Sequence, residues 1–349
     1  MAYSTIPKGS LYMNTKLYTG NGNANHAITG VGFQPDWVWI KNRGAANHYL
    51  FDAVRGVQKN IHSNENYAEV TEATTLTAFG SDGFTLSTDA DINGSGASVV
   101  SWNWKANGQG SSNTDGSINT TYTSANTTAG FSICQYTGTG SNATIGHGLG
   151  AVPKMIFVKC TSTSSTNWIV YTAATGNTHW MYLNATNAAS SNSTAWNNTS
   201  PTSSVFSLGN DGDVNGSGRT YIAYAFADKT GYSKVGGSYT GNGSTNGTFV
   251  YTGFKPSFVI IKRTSSGGDD WVMYDNKRNT FNVLDKRLNP NTNGAEQDTD
   301  ILDFLSNGFK LRGTPDYVNG NGSTYIYMAF AENPFVATSG TTAVPVTAR

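Results

Sequence analysis

The stretch Pro35-Asp36-Trp37-Val38-Trp39-Ile40-Lys41 is the most informative part of this chain, because its pattern occurs three times. A proline, a short apolar run and a lysine return with the same spacing at Pro153–Lys159 and Pro256–Lys262. The apolar run is too short for a helix and would be apolar on both faces of a strand. It therefore predicts one central strand per copy, covered on both sides.

Two further signatures flank this strand in every copy. A Tyr-Thr-Gly-x-Gly motif precedes it, and an Asn-Gly-x-Gly turn followed by an aromatic strand closes the copy. The motifs begin at Tyr18, Tyr136 and Tyr239, and the turns begin at Asn93, Asn215 and Asn319. The copies lie about 118 and then 103 residues apart, which is the size of a β-sandwich and too long for a solenoid unit.

The sequence thus predicts an all-β fold of three tandem β-sandwich domains. We predict an N-terminal arm (1–15), a first repeat (16–106), a linker rich in Gly, Ser, Asn and Thr (107–128), a second repeat (129–230), a third repeat (231–335) and a C-terminal tail (336–349). The best helical candidates are the short segments 65–76 and 299–305.

The closing strand of each repeat alternates between large and mostly small side chains. In the first repeat, Trp102 and Trp104 share one face, and Ser101 and Asn103 share the other. We expect the large groups to fill the core of the sandwich, since successive strand residues point to opposite faces. The small face would then lie against another sheet or domain.

Composition excludes several classes of function. Of the 349 residues only 13 % are charged, and 22 basic residues balance 22 acidic ones, so no net charge favours nucleic acid. No apolar run approaches the roughly 18 residues of a membrane span, so no membrane insertion is expected. The first residues lack the pattern of a signal peptide, which predicts folding in a cytoplasm.

No pattern of catalytic residues stands out. The five histidines are scattered without a metal-binding or acid–base spacing, and a nucleophile elbow is missing. Cys134 and Cys160 lie in apolar, strand-like segments and are interpreted as small buried residues. We therefore predict a protein that is not an enzyme and has no cofactor, with calcium as the one candidate.

The calcium candidate rests on a motif present in two repeats. Oxygen-bearing side chains alternate before a glycine turn, as in the first half of a calcium loop. The candidate ligands are Asp89, Asp91 and Asn93 in the first repeat and Asp211, Asp213 and Asn215 in the second. A closing glutamate is absent, so an acidic turn with only a structural role is the alternative.

A second candidate site pairs Asp52 with Arg55. The two residues form either an intrachain ion pair or part of a pocket for a surface glycan. The corresponding loops, 172–176 and 275–279, differ in sequence, so we expect any role of this loop to belong to the first repeat alone.

The repeat motifs carry a resemblance to a known family. The strings Gly32–Arg43, Phe51–Gly56 and Gly146–Lys154 resemble a repeated domain common in structural proteins of tailed bacteriophages, especially marine ones, over roughly residues 9–335. That domain is similar to concanavalin-like jelly-roll sandwiches of fibre and appendage proteins. The resemblance implies a virion component assembled in the host cytoplasm, and it brings no catalytic residues.

We therefore expect a surface appendage of the virion, a tail-fibre or receptor-binding component, whose loops contact host polysaccharide. Its partners would be other virion proteins, and by analogy with viral fibres it would be a homo-oligomer, as in a trimer. One alternative is a capsid decoration protein or head fibre held through a terminal arm. Another is a glycan depolymerase, which would need two carboxylates facing each other across a cleft.

Overall fold

The computed structural model describes residues 4–334 and shows an all-β protein, as the sequence predicts. All pairings between its named strands are antiparallel. The helical segments of the described residues are a 3-10 turn at Gly9–Leu11 and three one-turn helices: α1 (Ala90–Asn93), α2 (Gly212–Asn215) and α3 (Asp316–Asn319). None of the described helices is long and apolar enough to cross a membrane.

The first repeat contains nine strands in three sheets. They are β1 (Met13–Thr19), β2 (His26–Thr29), β3 (Trp37–Asn42), β4 (His48–Asp52), β5 (Lys59–Asn60), β6 (Val70–Thr71), β7 (Leu76–Gly80), β8 (Gly83–Leu86) and β9 (Ser98–Trp104). The order β1-β9-β3-β4 forms a four-stranded sheet, β2-β8-β7 a three-stranded one and β5-β6 a small ribbon. The predicted central strand, β3, lies inside the larger sheet and is buried on both faces.

The second repeat follows the same plan with a wider sheet. Its strands are β10 (Tyr122–Asn126), β11 (Phe131–Thr137), β12 (Ala143–Gly146), β13 (Met155–Cys160), β14 (Ile169–Thr172), β15 (His179–Tyr182), β16 (Ser190–Ser191), β17 (Val205–Leu208) and β18 (Thr220–Phe226). Seven of them pair in the order β10-β11-β18-β13-β14-β15-β16, and β12 pairs with β17.

The third repeat has two four-stranded sheets. Its strands are β19 (Ser233–Thr240), β20 (Phe249–Tyr251), β21 (Pro256–Arg263), β22 (Val272–Asp275), β23 (Leu284–Arg287), β24 (Gln297–Leu305), β25 (Gly308–Leu311) and β26 (Thr324–Ala331). The sheet orders are β19-β26-β21-β22 and β20-β25-β24-β23.

Several boundaries differ from the sequence prediction. The N-terminal arm 1–15 includes the start of β1, and the linker 107–128 includes β10, which pairs with β11. Segment 299–305 belongs to a strand and segment 65–76 forms no helix, because tertiary pairing outweighs a weak local helical pattern. The tail 336–349 lies outside the described residues.

Each repeat has a hydrophobic core of its own between its two sheets. In the first repeat, Val38 and Ile40 of β3 pack in one buried cluster with Phe84 and Leu86 of β8. Comparable clusters lie within the second and third repeats. Two sheets facing each other across an apolar layer are the basis of a sandwich.

A further core is shared by all three repeats. The ring of Trp37 stacks on that of Tyr224 from the second repeat, with centroids 4.5 Å apart. Trp104 packs edge-to-face on Phe258 of the third repeat at 5.6 Å, and Phe226 meets Phe330 at 6.1 Å. The three larger sheets thus pack against one another through one continuous aromatic cluster.

The large residues of the closing strand fill a core, as predicted, but that core is the one shared by the three repeats and not the interior of a single sandwich. Trp102 and Trp104 face the core that the three repeats share, whereas the alternate residues face the interior of each repeat. In the second repeat the inward residues are Ala223 and Ala225. The small residues fit inside the sandwich because aromatic side chains from the opposite sheet fill the space next to them. The large residues pack against the neighbouring repeats.

Backbone hydrogen bonds join the repeats in a closed cycle. Equivalent N–H groups donate to equivalent carbonyls of the next repeat: Glu69 to Thr161 (2.9 Å), Ala189 to Thr264 (3.1 Å) and Glu296 to Arg43 (2.8 Å). Side-chain hydrogen bonds join the same pairs of repeats in the opposite direction. Trp168 Nε1 donates to the His62 carbonyl and Trp271 Nε1 to the Tyr182 carbonyl, each at 2.8 Å. The third such contact joins His48 Nε2 to the Asn289 carbonyl at 3.0 Å.

Candidate functional site

The predicted ligand pair, Asp52 and Arg55, lies at the junction between the first and second repeats. Both side chains are fully buried, and Arg55 Nε donates to Asp52 Oδ2 at 2.5 Å. Arg55 also pairs with Glu69 at 3.2 Å, and the hydroxyl of Tyr224 from the second repeat donates to Asp52 at 2.7 Å. Because neither charged group reaches solvent, the structure favours the ion-pair interpretation over a glycan pocket here.

The third repeat contains the same buried arrangement, contrary to the expectation that this loop acts in the first repeat alone. Arg278 Nε donates to Asp275 at 2.6 Å, and Arg278 pairs with Glu296 at 3.0 Å. Trp102 Nε1 of the first repeat donates to Asp275 at 3.1 Å. The loop keeps Asp and Arg three residues apart although its other residues differ from those of the first repeat, and this spacing is the signal of equivalence in the sequence.

The second repeat lacks this charged network at every position. Thr172, Thr175 and Ala189 stand where the first repeat has Asp52, Arg55 and Glu69, as the shared strand register and the cyclic hydrogen bonds show. The cross-repeat donor is missing as well, because Met328 stands in the third repeat where the others have Trp102 and Tyr224. A buried network of charged groups destabilises the fold when one of its members lacks a partner. In the second repeat all the corresponding residues are neutral, so no buried charge is left unpaired.

A cleft of about 490 Å³ opens between the second and third repeats at this neutral junction. Thr175, His179 and Ala189 line its second-repeat side. The third-repeat side is formed by the edge strand β19, its neighbour β26 and Thr264, the residue that follows β21. The lining residues on that side are Ser238, Tyr239, Thr240, Thr264, Thr324, Tyr325 and Ile326.

The cleft is rich in hydroxyl groups and carries no formal charge. Of the described residues that line it, none bears a carboxylate, an ammonium or a guanidinium group. Thr240 and Thr324 are opposite each other on β19 and β26, and the Thr264 and Thr324 hydroxyls lie 2.9 Å apart. Hydroxyls both donate and accept hydrogen bonds, so this surface suits an uncharged polar ligand.

The six candidate calcium ligands lie at the one-turn helices α1 and α2. Asp89 Oδ1 caps α1 by accepting from the N–H groups of Asp91 and Ile92, and Asp211 Oδ1 caps α2 by accepting from the N–H group of Asp213. Burial is the main cause that raises the pKa of Asp89. Within the described residues, no three His, Cys, Asp or Glu side chains form a group that could hold a metal. Calcium binding stays a prediction.

Asn93, the third candidate in that motif, is buried and has internal partners on both amide atoms. Its Oδ1 accepts from the Asn21 N–H at 3.1 Å, and its Nδ2 donates to the Ser87 carbonyl at 2.6 Å. Asn215 of the second repeat makes the equivalent bonds with Thr139 and Gly209. These bonds use the oxygen that a cation would need, so they favour the structural alternative.

Three buried lysines are an additional feature whose chemistry the sequence did not reveal. Lys41, Lys159 and Lys262, the last residues of the repeated stretch, are all fully buried. Their ammonium groups donate to backbone carbonyls; Lys159 Nζ, for example, lies 3.0 Å from the Cys160 carbonyl and 2.9 Å from that of Thr166. Burial lowers the pKa of each lysine to about 8. The sequence signal for these buried lysines is that a lysine ends the apolar run in all three repeats.

Comparison with known proteins identifies a family. Residues 8–334 match the domain of unknown function DUF7483, so the chain belongs to that family over nearly its whole length. No curated protein matches the chain significantly.

Proposed function

We propose that this protein is a non-enzymatic component of a tailed-phage virion, displayed as a surface appendage that contacts host glycan. The proposal combines the resemblance of the repeat motifs with the architecture described above. The observation that supports it best is the neutral, hydroxyl-rich cleft between the second and third repeats, held by sheets that share a buried core. A rigid β-scaffold that presents polar surface is suited to recognition outside a cell.

A second candidate, a capsid decoration protein, is favoured by the cyclic arrangement of the three repeats. Equivalent contacts at all three junctions give one chain an approximate threefold design, which would match a threefold position on a shell. The proposed jelly-roll type of the three sandwiches fits either location.

Gold-labelled antibodies against this protein, applied to intact phage particles and viewed by electron microscopy, test both candidates. Label at tail tips or fibres is the expected result. Label spread over heads would replace the appendage proposal with the decoration role, and particles without label would overturn both. A reducing-end assay with host polysaccharide tests the non-enzyme part, because released ends would identify a depolymerase.

The oligomeric state is a separate part of the proposal. By analogy with viral fibres we propose a homotrimer, in which each chain contributes its own closed cycle of three repeats. Light scattering at micromolar protein concentration decides between 37.1 kDa and a multiple of that mass.

A further inference from the structure

We propose that the cleft between the second and third repeats is a binding site for a neutral carbohydrate of one or two sugar rings. The inference rests on the proposed glycan-contacting role and assigns that role to one place in the molecule. Its volume of about 490 Å³ lies within the range of about 300–1,000 Å³ that is usual for small-molecule sites.

The strongest argument comes from comparing the same positions in the three repeats. The first repeat has Arg55, Lys59 and Glu69, and these side chains form buried or half-buried ion pairs. The third repeat has Arg278, Lys286 and Glu296 at these positions, again in ion pairs. The second repeat has Thr175, His179 and Ala189, and all three line the cleft. Smaller neutral side chains thus replace a charged cluster at this junction alone.

The chemistry of the walls selects the class of ligand. Ser238, Thr240 and Thr324 are exposed, and their hydroxyls can exchange hydrogen bonds with the hydroxyls of a sugar. Ala189, which is half-buried, provides apolar surface for the C–H face of a ring. An anionic sugar would find no ammonium or guanidinium partner among the described lining residues.

The junction between the third and first repeats gives an internal contrast. A cleft of about 290 Å³ there is lined by Lys8, Lys277 and Glu332. Charged side chains at that junction would have to be desolvated by a neutral ligand, which costs free energy. We therefore assign the neutral carbohydrate site only to the junction between the second and third repeats.

The test measures sugar binding to the full chain by saturation-transfer NMR and calorimetry. The probes are glucose, galactose, mannose, fucose, N-acetylglucosamine and disaccharides of these sugars. The first variant, Thr175→Arg with Ala189→Glu, places the residues of the first repeat in the cleft. Thr240→Glu, at an exposed position, is a second variant that does not depend on repacking. Thr19→Glu changes the equivalent exposed residue of the first repeat and is the matched control.

We expect both cleft variants to bind the sugar at least tenfold more weakly, and the Thr19→Glu control to stay within twofold of the unaltered protein. Sugar binding that survives Thr240→Glu would overturn the cleft assignment and leave the glycan-contacting role intact. If the unaltered protein binds none of the probes, both the cleft assignment and the glycan role fail. The virion location is judged independently by the gold labelling.

Discussion

At the scale of single residues, the same position serves different purposes in different repeats. Asp52 and Asp275 hold buried arginines and accept hydrogen bonds from a neighbouring repeat, whereas Thr172 leaves its junction neutral. A buried ion pair is tolerated only when all its groups have partners. The charged residues at these junctions therefore form interdependent sets.

Replacing Arg55 by threonine tests this dependence. Arg55→Thr leaves the Asp52 carboxylate buried without its cation, and we expect the free energy of unfolding to fall by about 3–5 kcal/mol. Adding Asp52→Thr, which gives the pair found in the second repeat, should recover part of that loss. Denaturant unfolding of both variants measures the difference. Asp52→Thr alone completes the cycle, and a loss in the double variant equal to the sum of the two single losses would show that the pair is not coupled.

The buried lysines predict a dependence of stability on pH. Burial lowers the pKa of Lys159 to about 8, whereas in the unfolded chain it is near 10.4, so above pH 8 the unfolded state binds more protons. Stability then rises with pH in this window. We expect the midpoint of thermal unfolding to increase between pH 8 and pH 9, and to increase less in Lys159→Met. An unchanged slope in Lys159→Met would contradict this assignment.

At the scale of elements, the Tyr-Thr-Gly-x-Gly motif joins β1, β11 or β19 to the one-turn helix of the same repeat. The hydroxyl of Tyr239 donates to the Val318 carbonyl at 2.6 Å, and Tyr136 makes the same bond with Val214 at 2.7 Å. Asn319 completes the join by accepting from the Asn242 N–H at 3.0 Å. The motif and the Asn-Gly turn are thus the two halves of one structural unit.

The glycine of this unit is required by close approach of two backbones. A Cβ on Gly241 would lie 2.5 Å from the Gly320 carbonyl oxygen. We expect Gly241→Ala to destabilise the protein by about 1–3 kcal/mol, as overpacking does. Gly294→Ala is the control, since its nearest neighbour would lie at an ordinary 3.5 Å. Similar denaturation midpoints for the two variants would contradict the close-approach explanation.

At the scale of the whole molecule, the three repeats are joined by one buried cluster and not only by the chain. Trp37 of the first repeat, Tyr224 and Phe226 of the second and Phe330 of the third contact one another in that cluster. Separating the repeats would expose these aromatic surfaces to water, at a cost of about 25 cal/mol for each Å² of apolar area. Each repeat therefore depends on its neighbours.

We expect this dependence to appear as cooperative unfolding. Calorimetry of the full chain should give one heat-absorption peak whose calorimetric and van't Hoff enthalpies agree. Phe330→Ala, a change in the third repeat, should lower the unfolding temperature of the whole chain. Three separate peaks, of which Phe330→Ala shifts one, would show instead that the repeats unfold as independent domains.

The sequence predicts the all-β class, the three repeats and the central strand of each, because apolar spacing and turn residues are local signals. It could not show which face of Trp102 and Trp104 meets the shared core, since alternation separates two faces without saying what covers each. The sequence could not predict the cleft either. Thr175, Ala189 and Thr240 are ordinary residues in the chain, and only the tertiary structure brings them together at a junction between repeats. A site made by two packed repeats depends on contacts far apart in sequence, which local patterns do not encode.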